Sequence, residues 1–159
     1  MTKKSGTYAL LLRASSSQSV EVGALGKMTV EPGWYVYVGS AFGSGGLQAR
    51  VERHVRGDGA LHWHVDYLRA VMDLDAVWYT HDEARRECAW AHCLRERIGA
   101  QVPMAGFGAS DCDCEAHLVA FGAPPSLRGV RAALHAQHPD HAPIMQADVA
   151  ALGKRNPAS

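Results

Sequence analysis

The sequence predicts an α+β fold, with a small central, mainly antiparallel β-sheet that begins as a β-meander and is flanked by helices. The chain has 159 residues, which is about the length of one domain. Three strand-like segments precede the first helical segment, and strands and helices alternate afterwards. A hydrophobic fraction of 47% and a charged fraction of 20% exclude a disordered or fibrous chain. We expect one domain over residues 1–155 and a disordered tail over 156–159.

The first three strands are predicted from composition and turn signals. Residues 7–13 (TYALLLR) are rich in strand formers and predict a central strand. Residues 20–25 alternate apolar with small or charged residues and precede Gly26-Lys27, so we expect a second strand in a hairpin with the first. Residues 34–38 (WYVYV) are aromatic and β-branched throughout, which is typical of a strand buried on both faces.

A glycine-rich loop over residues 39–46 leads into the first predicted helix, 47–55. Apolar residues recur there every four positions, while Arg50 and His54 share a different face. Similar patterns predict helices over 62–71, 83–98 and 126–137, with Asp82 as the cap of the second of these, and strands over 74–79 and 117–121.

The net charge of the whole chain gives no sign of a nucleic-acid-binding surface, because 16 basic residues balance 16 acidic ones. The balance differs by region. Residues 1–60 hold seven Lys/Arg against four Asp/Glu, and residues 61–120 hold five against ten. Any binding of DNA is therefore expected to be local, modest in affinity and sensitive to salt.

We expect a cytoplasmic protein without a membrane partner, because no segment approaches the roughly 18 apolar residues of a membrane span and none has the pattern of a signal peptide. In that compartment cysteines are reduced. The four cysteines, Cys88, Cys93, Cys112 and Cys114, are therefore interpreted as buried thiols or metal ligands rather than as a disulfide framework.

Several short motifs occur in a fixed order along the chain. They are Gly6-Thr7-Tyr8, Tyr37-Val38-Gly39, Gly45-Gly46-Leu47 with Arg50 and His54, the string HWHVDYL at 62–68, Glu87-Cys88, and SDCDCEAHL at 110–118. In this order they resemble the GIY-YIG nuclease superfamily, and in particular its DUF123 branch, which also occurs fused to endonuclease III-like glycosylases. The resemblance covers about residues 6–121, and the later strings are the more specific ones.

The resemblance implies a metal-dependent endonuclease that hydrolyses DNA phosphodiester bonds, with a role in DNA repair. By the same resemblance, Tyr8 is the base or orients the water, Tyr37 hydrogen-bonds phosphate or water, and Arg50 makes a forked contact with phosphate oxygens. His54 would hold a tyrosine hydroxyl or relay its proton. An ordinary tyrosine has a pKa of about 10, so a nearby cation would have to lower the pKa of Tyr8. Substrate contacts are expected from Gly39, Ser40, Gly45, Gly46, His62 and His64.

The superfamily holds its divalent cation on a helix glutamate, and the resemblance assigns this role to Glu87. One Mg²⁺ or Mn²⁺ is implied, with water and phosphate filling the remaining coordination positions. Glu83 lies four residues earlier on the same face of the predicted helix, so the sequence does not separate the two glutamates.

A second metal hypothesis concerns zinc. The spacings His-x-His and Cys-x-Cys-x-x-His supply imidazole and thiolate groups, which suit Zn²⁺ and not Mg²⁺. The residues are His62, His64, Cys112, Cys114 and His117, with Cys88 as a further candidate. His62 and His64 project to one side only if their segment is extended.

The alternative function is a non-catalytic nucleic-acid-binding module that retains a phosphate site and is stabilised by zinc. The only asparagine of the chain is Asn156 in the tail, so the downstream asparagine of the superfamily has no counterpart. The expected partners are DNA, either branched or damaged, and a glycosylase. The oligomeric state does not follow from the sequence.

Overall fold

The computed structural model describes residues 1–57, 60–109 and 114–153. Within them, five strands form one antiparallel sheet flanked by helices, which confirms the α+β class. The strands are β1 (Gly6–Ala14), β2 (Gln18–Glu21), β3 (Lys27–Val30), β4 (Gly33–Ala41), β5 (Asp73–Thr80), β6 (Leu118–Phe121) and β7 (Met145–Ala147). The helices are α1 (Gly46–Arg56), α2 (His64–Arg69), α3 (Glu87–Arg95), α4 (Leu127–Gln137) and α5 (Val149–Gly153). The expected tail, 156–159, lies outside the described residues.

Strand β1 is the centre of the sheet, whose order is β6-β4-β1-β5-β7. Its side chains alternate between two hydrophobic cores, one on each face. Tyr8, Leu10 and Leu12 pack with residues of α1 and α2. Ala9 and Leu11 pack with residues of α3 and α4 on the opposite face. This arrangement explains why the sequence of β1 is apolar almost throughout and does not alternate with polar residues.

The expected hairpin between the first strand and residues 20–25 is wrong. β2 ends at Glu21 and pairs with β3 in a separate two-stranded sheet. A 3-10 turn over 23–25 reverses the chain there, and positive φ angles at Gly23 and at Gly26, the residue after the turn, allow it. Both edges of β1 are already paired, with β4 and with β5, so no edge is left for β2.

The third predicted helix starts later than expected. It begins at Glu87, and Asp82 does not cap it. The Asp82 carboxylate instead accepts hydrogen bonds from the backbone N–H groups of Ala84 and Ala142, both at 2.9 Å, and pairs with Arg86 at 3.0 Å. It thereby fixes the loop before α3, a role that sequence spacing does not distinguish from capping.

Other boundaries differ by smaller amounts. α2 is shorter at both ends than the predicted helix 62–71, so His62 lies in the preceding loop. The sequence patterns missed β3, β7 and α5, which have only three to five residues each and carry little periodicity. Within the described part of the chain, no helix has the length and apolar character needed to cross a membrane.

Candidate functional site

A polar cavity of about 170 Å³ lies where the paired strands β1 and β4 meet α1, α2 and α3. Its lining residues are Tyr8, Tyr37, Gly39, Ser40, Arg50, His62, Trp63, His64, Glu87 and Gly108. Four of the five predicted catalytic residues therefore line this one cavity. The fifth, His54, lies directly behind Tyr8.

The two tyrosines meet because of the register between β1 and β4. Tyr8 is opposite Gly39 and Leu10 is opposite Tyr37, so the tyrosines are diagonal neighbours on the same face of the sheet. Their ring centroids are 6.4 Å apart. A Cβ atom at position 39 would lie 2.5 Å from the Tyr8 hydroxyl. Glycine at this position therefore makes room for the tyrosine hydroxyl at the cavity wall.

The Tyr8 hydroxyl, His54 and Asp66 form a connected row. The Tyr8 hydroxyl oxygen lies 2.8 Å from His54 Nε2, and both side chains are buried. On the other side of the ring, His54 Nδ1 lies 3.9 Å from Asp66 Oδ1, and this nitrogen is buried without a hydrogen bond among the described residues. The row leads from the cavity wall through α1 to α2.

Burial controls the protonation of this row. It raises the pKa of Tyr8, an effect that the positive charge of Arg50 only partly opposes. Burial likewise raises the pKa of Tyr37 well above its usual range. The pKa of His54 is lowered to about 3, mainly by burial, with the charge of Asp66 acting in the opposite direction. Burial thus outweighs the lowering by Arg50, so the net shift of the Tyr8 pKa is opposite to the one that an efficient base at neutral pH requires.

Arg50 brings positive charge to the cavity. Its Nη1 donates a hydrogen bond to the Ser40 carbonyl oxygen at 3.1 Å, and its guanidinium lies 4.2 Å from the centre of the Trp63 ring. Arg53 contacts the same ring at 4.4 Å. Because Trp63 is engaged by two guanidinium groups, it holds Arg50 in place instead of presenting an open stacking face.

Asp66 organises the loop that carries Trp63. It forms two hydrogen bonds with Arg53, at 3.0 and 3.2 Å, and accepts the backbone N–H groups of His62 and Trp63 at 2.9 and 2.8 Å. These contacts hold the pKa of its carboxyl below the ordinary value despite burial. Sequence reasoning missed Asp66, although an acidic residue in the first turn of a predicted helix is a recognisable signal.

The structure separates the two candidate glutamates. Glu87 is the first residue of α3 and lines the cavity, half-buried. Glu83 is exposed and precedes the helix, so the two do not share a helix face. One Glu87 oxygen lies 4.0 Å from His117 Nδ1. Of the two glutamates, Glu87 is therefore the one whose carboxylate lines the cavity.

Gly45 and Gly46 lie away from the cavity. At the N-terminus of α1, the N–H groups of Leu47 and Gln48 donate to the backbone oxygens of Lys4 and Thr2, at 3.0 and 3.1 Å. A Cβ at Gly46 would overlap the carbonyl oxygen of Lys3. Gly46 thus admits the N-terminal segment against the helix. That Gly45 and Gly46 contact a substrate stays a prediction.

The residues predicted to bind zinc lie in two separate places in the structure. His62 and His64 lie on the cavity wall, where His64 Nδ1 accepts a hydrogen bond from the Gly108 N–H at 2.8 Å. Among the described residues, the group with ligand atoms close enough for a metal is Cys88, Cys114 and His117. Cys112 lies outside the described residues. The sulfurs of Cys88 and Cys114 are joined as a disulfide, whereas the sequence favoured buried thiols or metal ligands over a disulfide.

The fold and this cavity define an α+β domain with a mainly polar cleft that presents an arginine, two tyrosines and a glutamate. The chain belongs to the family described as "Domain of unknown function DUF123", whose model matches residues 7–138. No curated protein matches the chain, and no solved structure matches it.

Proposed function

We propose that this protein is a metal-dependent endonuclease of the GIY-YIG type, which hydrolyses DNA phosphodiester bonds and acts in DNA repair. The observation that carries the proposal is the meeting of Tyr8, Tyr37, Arg50 and Glu87 around one cavity. These residues come from four different elements and from positions up to 79 apart in the chain. Their types match the needs of phosphodiester hydrolysis, which are charge stabilisation, proton transfer and a metal ligand.

Arg50 binds the phosphate in this proposal. A guanidinium can contact two non-bridging phosphate oxygens at once, and it stabilises the negative charge that develops as water attacks phosphorus. Its contacts with Ser40 and Trp63 fix the direction of the guanidinium before the substrate arrives. The Tyr37 hydroxyl offers a further hydrogen bond to phosphate or to the attacking water.

Tyr8 and His54 move the proton. In the His54 tautomer that accepts the Tyr8 hydroxyl hydrogen on Nε2, the hydroxyl oxygen can take a proton from the attacking water. A bond then forms between the water oxygen and phosphorus, the bond from phosphorus to the leaving sugar oxygen breaks, and solvent protonates that oxygen. The Tyr8 hydrogen passes to His54, whose positive charge Asp66 stabilises from 3.9 Å. A proton relay through a neutral tyrosine needs no tyrosinate, which agrees with the raised pKa of Tyr8.

Glu87 would hold one Mg²⁺ or Mn²⁺. Among the residues that the structure describes, one carboxylate lines this cavity, which has room for water and phosphate, and this fits the way Mg²⁺ binds in phosphate-processing sites. When bound, the cation would withdraw charge from the phosphate and the leaving oxygen.

A second function, phosphate binding without hydrolysis, is favoured by one observation. Burial opposes charge on Tyr8, Tyr37 and His54 alike, because it raises the pKa values of the tyrosines and lowers that of the histidine. A site in which these groups only hold a phosphate would need no proton transfer. Such a protein would be a nucleic-acid-binding module built on the same cavity.

The deciding experiment is nicking of plasmid DNA and of branched DNA with Mg²⁺ or Mn²⁺. We expect cleavage by the wild type and a loss of at least about 100-fold in Arg50→Ala and Glu87→Ala. Glu83→Ala and Arg128→Ala are matched controls, because both side chains are exposed and lie outside the cavity. Equal activity in all variants would mean a contaminating nuclease or another site. Binding of DNA without cleavage would establish the second function.

A glycosylase as partner, branched or damaged DNA as substrate and a cytoplasmic location remain predictions from the sequence. The glycosylase partner is tested by measuring whether a purified endonuclease III-like glycosylase changes the rate of nicking on DNA that contains an abasic site.

A further inference from the structure

A group of two cysteines and one histidine lies beside the cavity but does not line it. Cys88 is the second residue of α3, and Cys114 and His117 lie just before β6. Cys88 Sγ is 3.8 Å from His117 Nε2, and the ligand atoms of all three residues lie within 4.8 Å of one another. The proposed hydrolysis uses none of them.

The backbone around these residues is held in place by hydrogen bonds. The His117 N–H donates to the Phe107 oxygen at 2.8 Å, and the His117 oxygen accepts from the Val38 N–H at 2.9 Å. Arg95, on α3, donates to the Ala116 oxygen at 2.8 Å. The segment before β6 is therefore fixed against both the sheet and the helix that carries Cys88, so the three side chains meet without a large rearrangement.

The distance between Cys88 and His117 suits ligands of a tetrahedral metal. With zinc–sulfur and zinc–nitrogen bonds of about 2.3 and 2.0 Å, sulfur and nitrogen ligands of one zinc ion lie roughly 3.5 Å apart, and two sulfur ligands roughly 3.8 Å apart. The Cys88–His117 separation of 3.8 Å is close to the first value. The Cα atoms of Cys88 and Cys114 are 6.3 Å apart, so rotation of their side chains can accommodate a thiolate pair on a metal.

Glu87 lies next to the histidine of this group, on the side of the ring away from Cys88. His117 Nε2 faces Cys88, while Nδ1 faces a Glu87 oxygen at 4.0 Å. A histidine that binds zinc through one nitrogen commonly presents its other N–H to a carboxylate, which fixes the ring and the tautomer. The geometry offers this second partner on the correct side of the ring.

We propose that the reduced protein binds one Zn²⁺ through the thiolates of Cys88 and Cys114 and through Nε2 of His117, with a fourth position open to water. The ion fastens the start of α3 to the start of β6. Binding releases the two thiol protons. The disulfide between Cys88 and Cys114 and the zinc complex are alternative states of the same cysteines. This proposal stands independently of the proposed hydrolysis.

The test is zinc and cobalt binding by the reduced protein after removal of metal with a chelator. We expect one Zn²⁺ per chain by metal analysis, and with Co²⁺ the visible bands of a tetrahedral site and the ultraviolet bands of thiolate ligation. Cys88→Ser, Cys114→Ser and His117→Ala should each weaken zinc binding by more than the roughly 10- to 100-fold that loss of an outer partner causes. Glu87→Gln should weaken it within that smaller range.

Cys93→Ser is the matched control, because Cys93 is a free, buried cysteine on the same helix and is not part of the group. Oxidation of the wild type with diamide provides a measurement that needs no substitution. Diamide takes two electrons and two protons from the two thiols, so the disulfide forms and the reagent becomes the hydrazine. The oxidised protein should bind no zinc and recover binding after reduction.

Any of three results would overturn the proposal. They are less than one equivalent of zinc in the reduced, folded wild type, unchanged binding in folded Cys88→Ser, and unchanged binding after complete oxidation. None of these readouts involves DNA, so failure of the zinc site and failure of the nuclease proposal are distinguishable.

Discussion

Tyr8 shows how one residue of this chain combines core and site roles. Its ring is part of the hydrophobic core on the α1 side of the sheet, while its hydroxyl reaches the cavity and His54. Aromatic residues with a polar end are suited to this, because the ring is buried and the hydroxyl keeps a hydrogen-bond partner. Removal of the hydroxyl therefore separates the two roles.

We predict that Tyr8→Phe keeps the protein folded and lowers DNA cleavage by about 100-fold or more, the usual effect of losing a proton-transfer group. The measurement is single-turnover nicking together with a thermal melt. Tyr35→Phe is the control, because the Tyr35 hydroxyl bonds with the backbone of Glu31 and does not line the cavity. Equal cleavage by wild type and Tyr8→Phe would remove Tyr8 from the mechanism.

The lowered pKa of His54 predicts a pH-dependent stability. Below the ordinary histidine pKa of about 6.5, the unfolded chain binds a proton at His54 that the folded chain does not bind until about pH 3. Folding is therefore progressively disfavoured as the pH falls through this window. Between pH 7 and pH 5 the loss attributable to His54 should be about 2 kcal/mol in the free energy of unfolding.

Urea unfolding of wild type and His54→Gln at several pH values measures this contribution. His64, His117 and His141 also have pKa values lowered by burial, so the difference between the two proteins, not the absolute slope, is the relevant quantity. The wild type should lose more stability than His54→Gln between pH 7 and pH 5. Parallel pH profiles would show that His54 is not buried as a neutral ring.

At the scale of the elements, α1 is positioned by the N-terminal segment as well as by its own apolar face. Leu47 and Val51 are fully buried against the sheet, and residues 2–4 supply backbone oxygens to the first turn of the helix. Gly46 has φ of 58°, and a side chain there would meet the backbone of Lys3. The position of Arg50 and His54 therefore depends on a glycine that is not itself in the cavity.

We predict that Gly46→Ala lowers the free energy of unfolding by at least about 2 kcal/mol, from the cost of left-handed backbone for alanine and from the overlap with Lys3. Gly43→Ala is the control, because Gly43 is exposed and a Cβ there meets no atom within 4 Å. It should change stability by no more than about 0.5 kcal/mol. Thermal or urea unfolding of both variants measures the difference, and equal values would contradict the assigned role of Gly46.

At the scale of the whole molecule, the zero net charge hides a local concentration of positive charge. Arg50 and Arg53 both lie against Trp63 at the cavity, and Arg53 is already paired with Asp66. In the proposed function, Arg50 is thus the main cation offered to a phosphate, and the protein lacks a broadly basic composition.

We predict that DNA binding weakens with salt along a shallow slope, about −1 to −2 in log affinity against log salt, because only one or two phosphates are neutralised. Arg50→Ala should reduce the magnitude of the slope by about one, whereas the exposed Arg128→Ala should leave it unchanged. Fluorescence anisotropy with a labelled duplex over a range of salt measures both. A steep slope would mean a large basic contact surface elsewhere.

The sequence identified most of the residues that line the cavity but not how these residues are placed around it. The resemblance to the GIY-YIG superfamily indicated Tyr8, Tyr37, Arg50, His54 and Glu87, and all of these meet in or directly behind one cavity. The choice between Glu83 and Glu87 needed the true start of α3, which Asp82 and its contacts with residues 84, 86 and 142 set. Partners so distant in sequence leave no local pattern.

By itself, the sequence determined the α+β class, the central apolar strand and the residue types available for phosphate and metal chemistry. Only the tertiary structure decided that β1 is paired on both edges, that Gly46 serves packing, and that Cys88 joins Cys114 and His117 while His62 and His64 do not. The physical reason is the range of the interactions. Composition and periodicity report on neighbours within a helix or strand, whereas strand register, cavity walls and metal ligands are fixed by contacts between segments far apart in the chain.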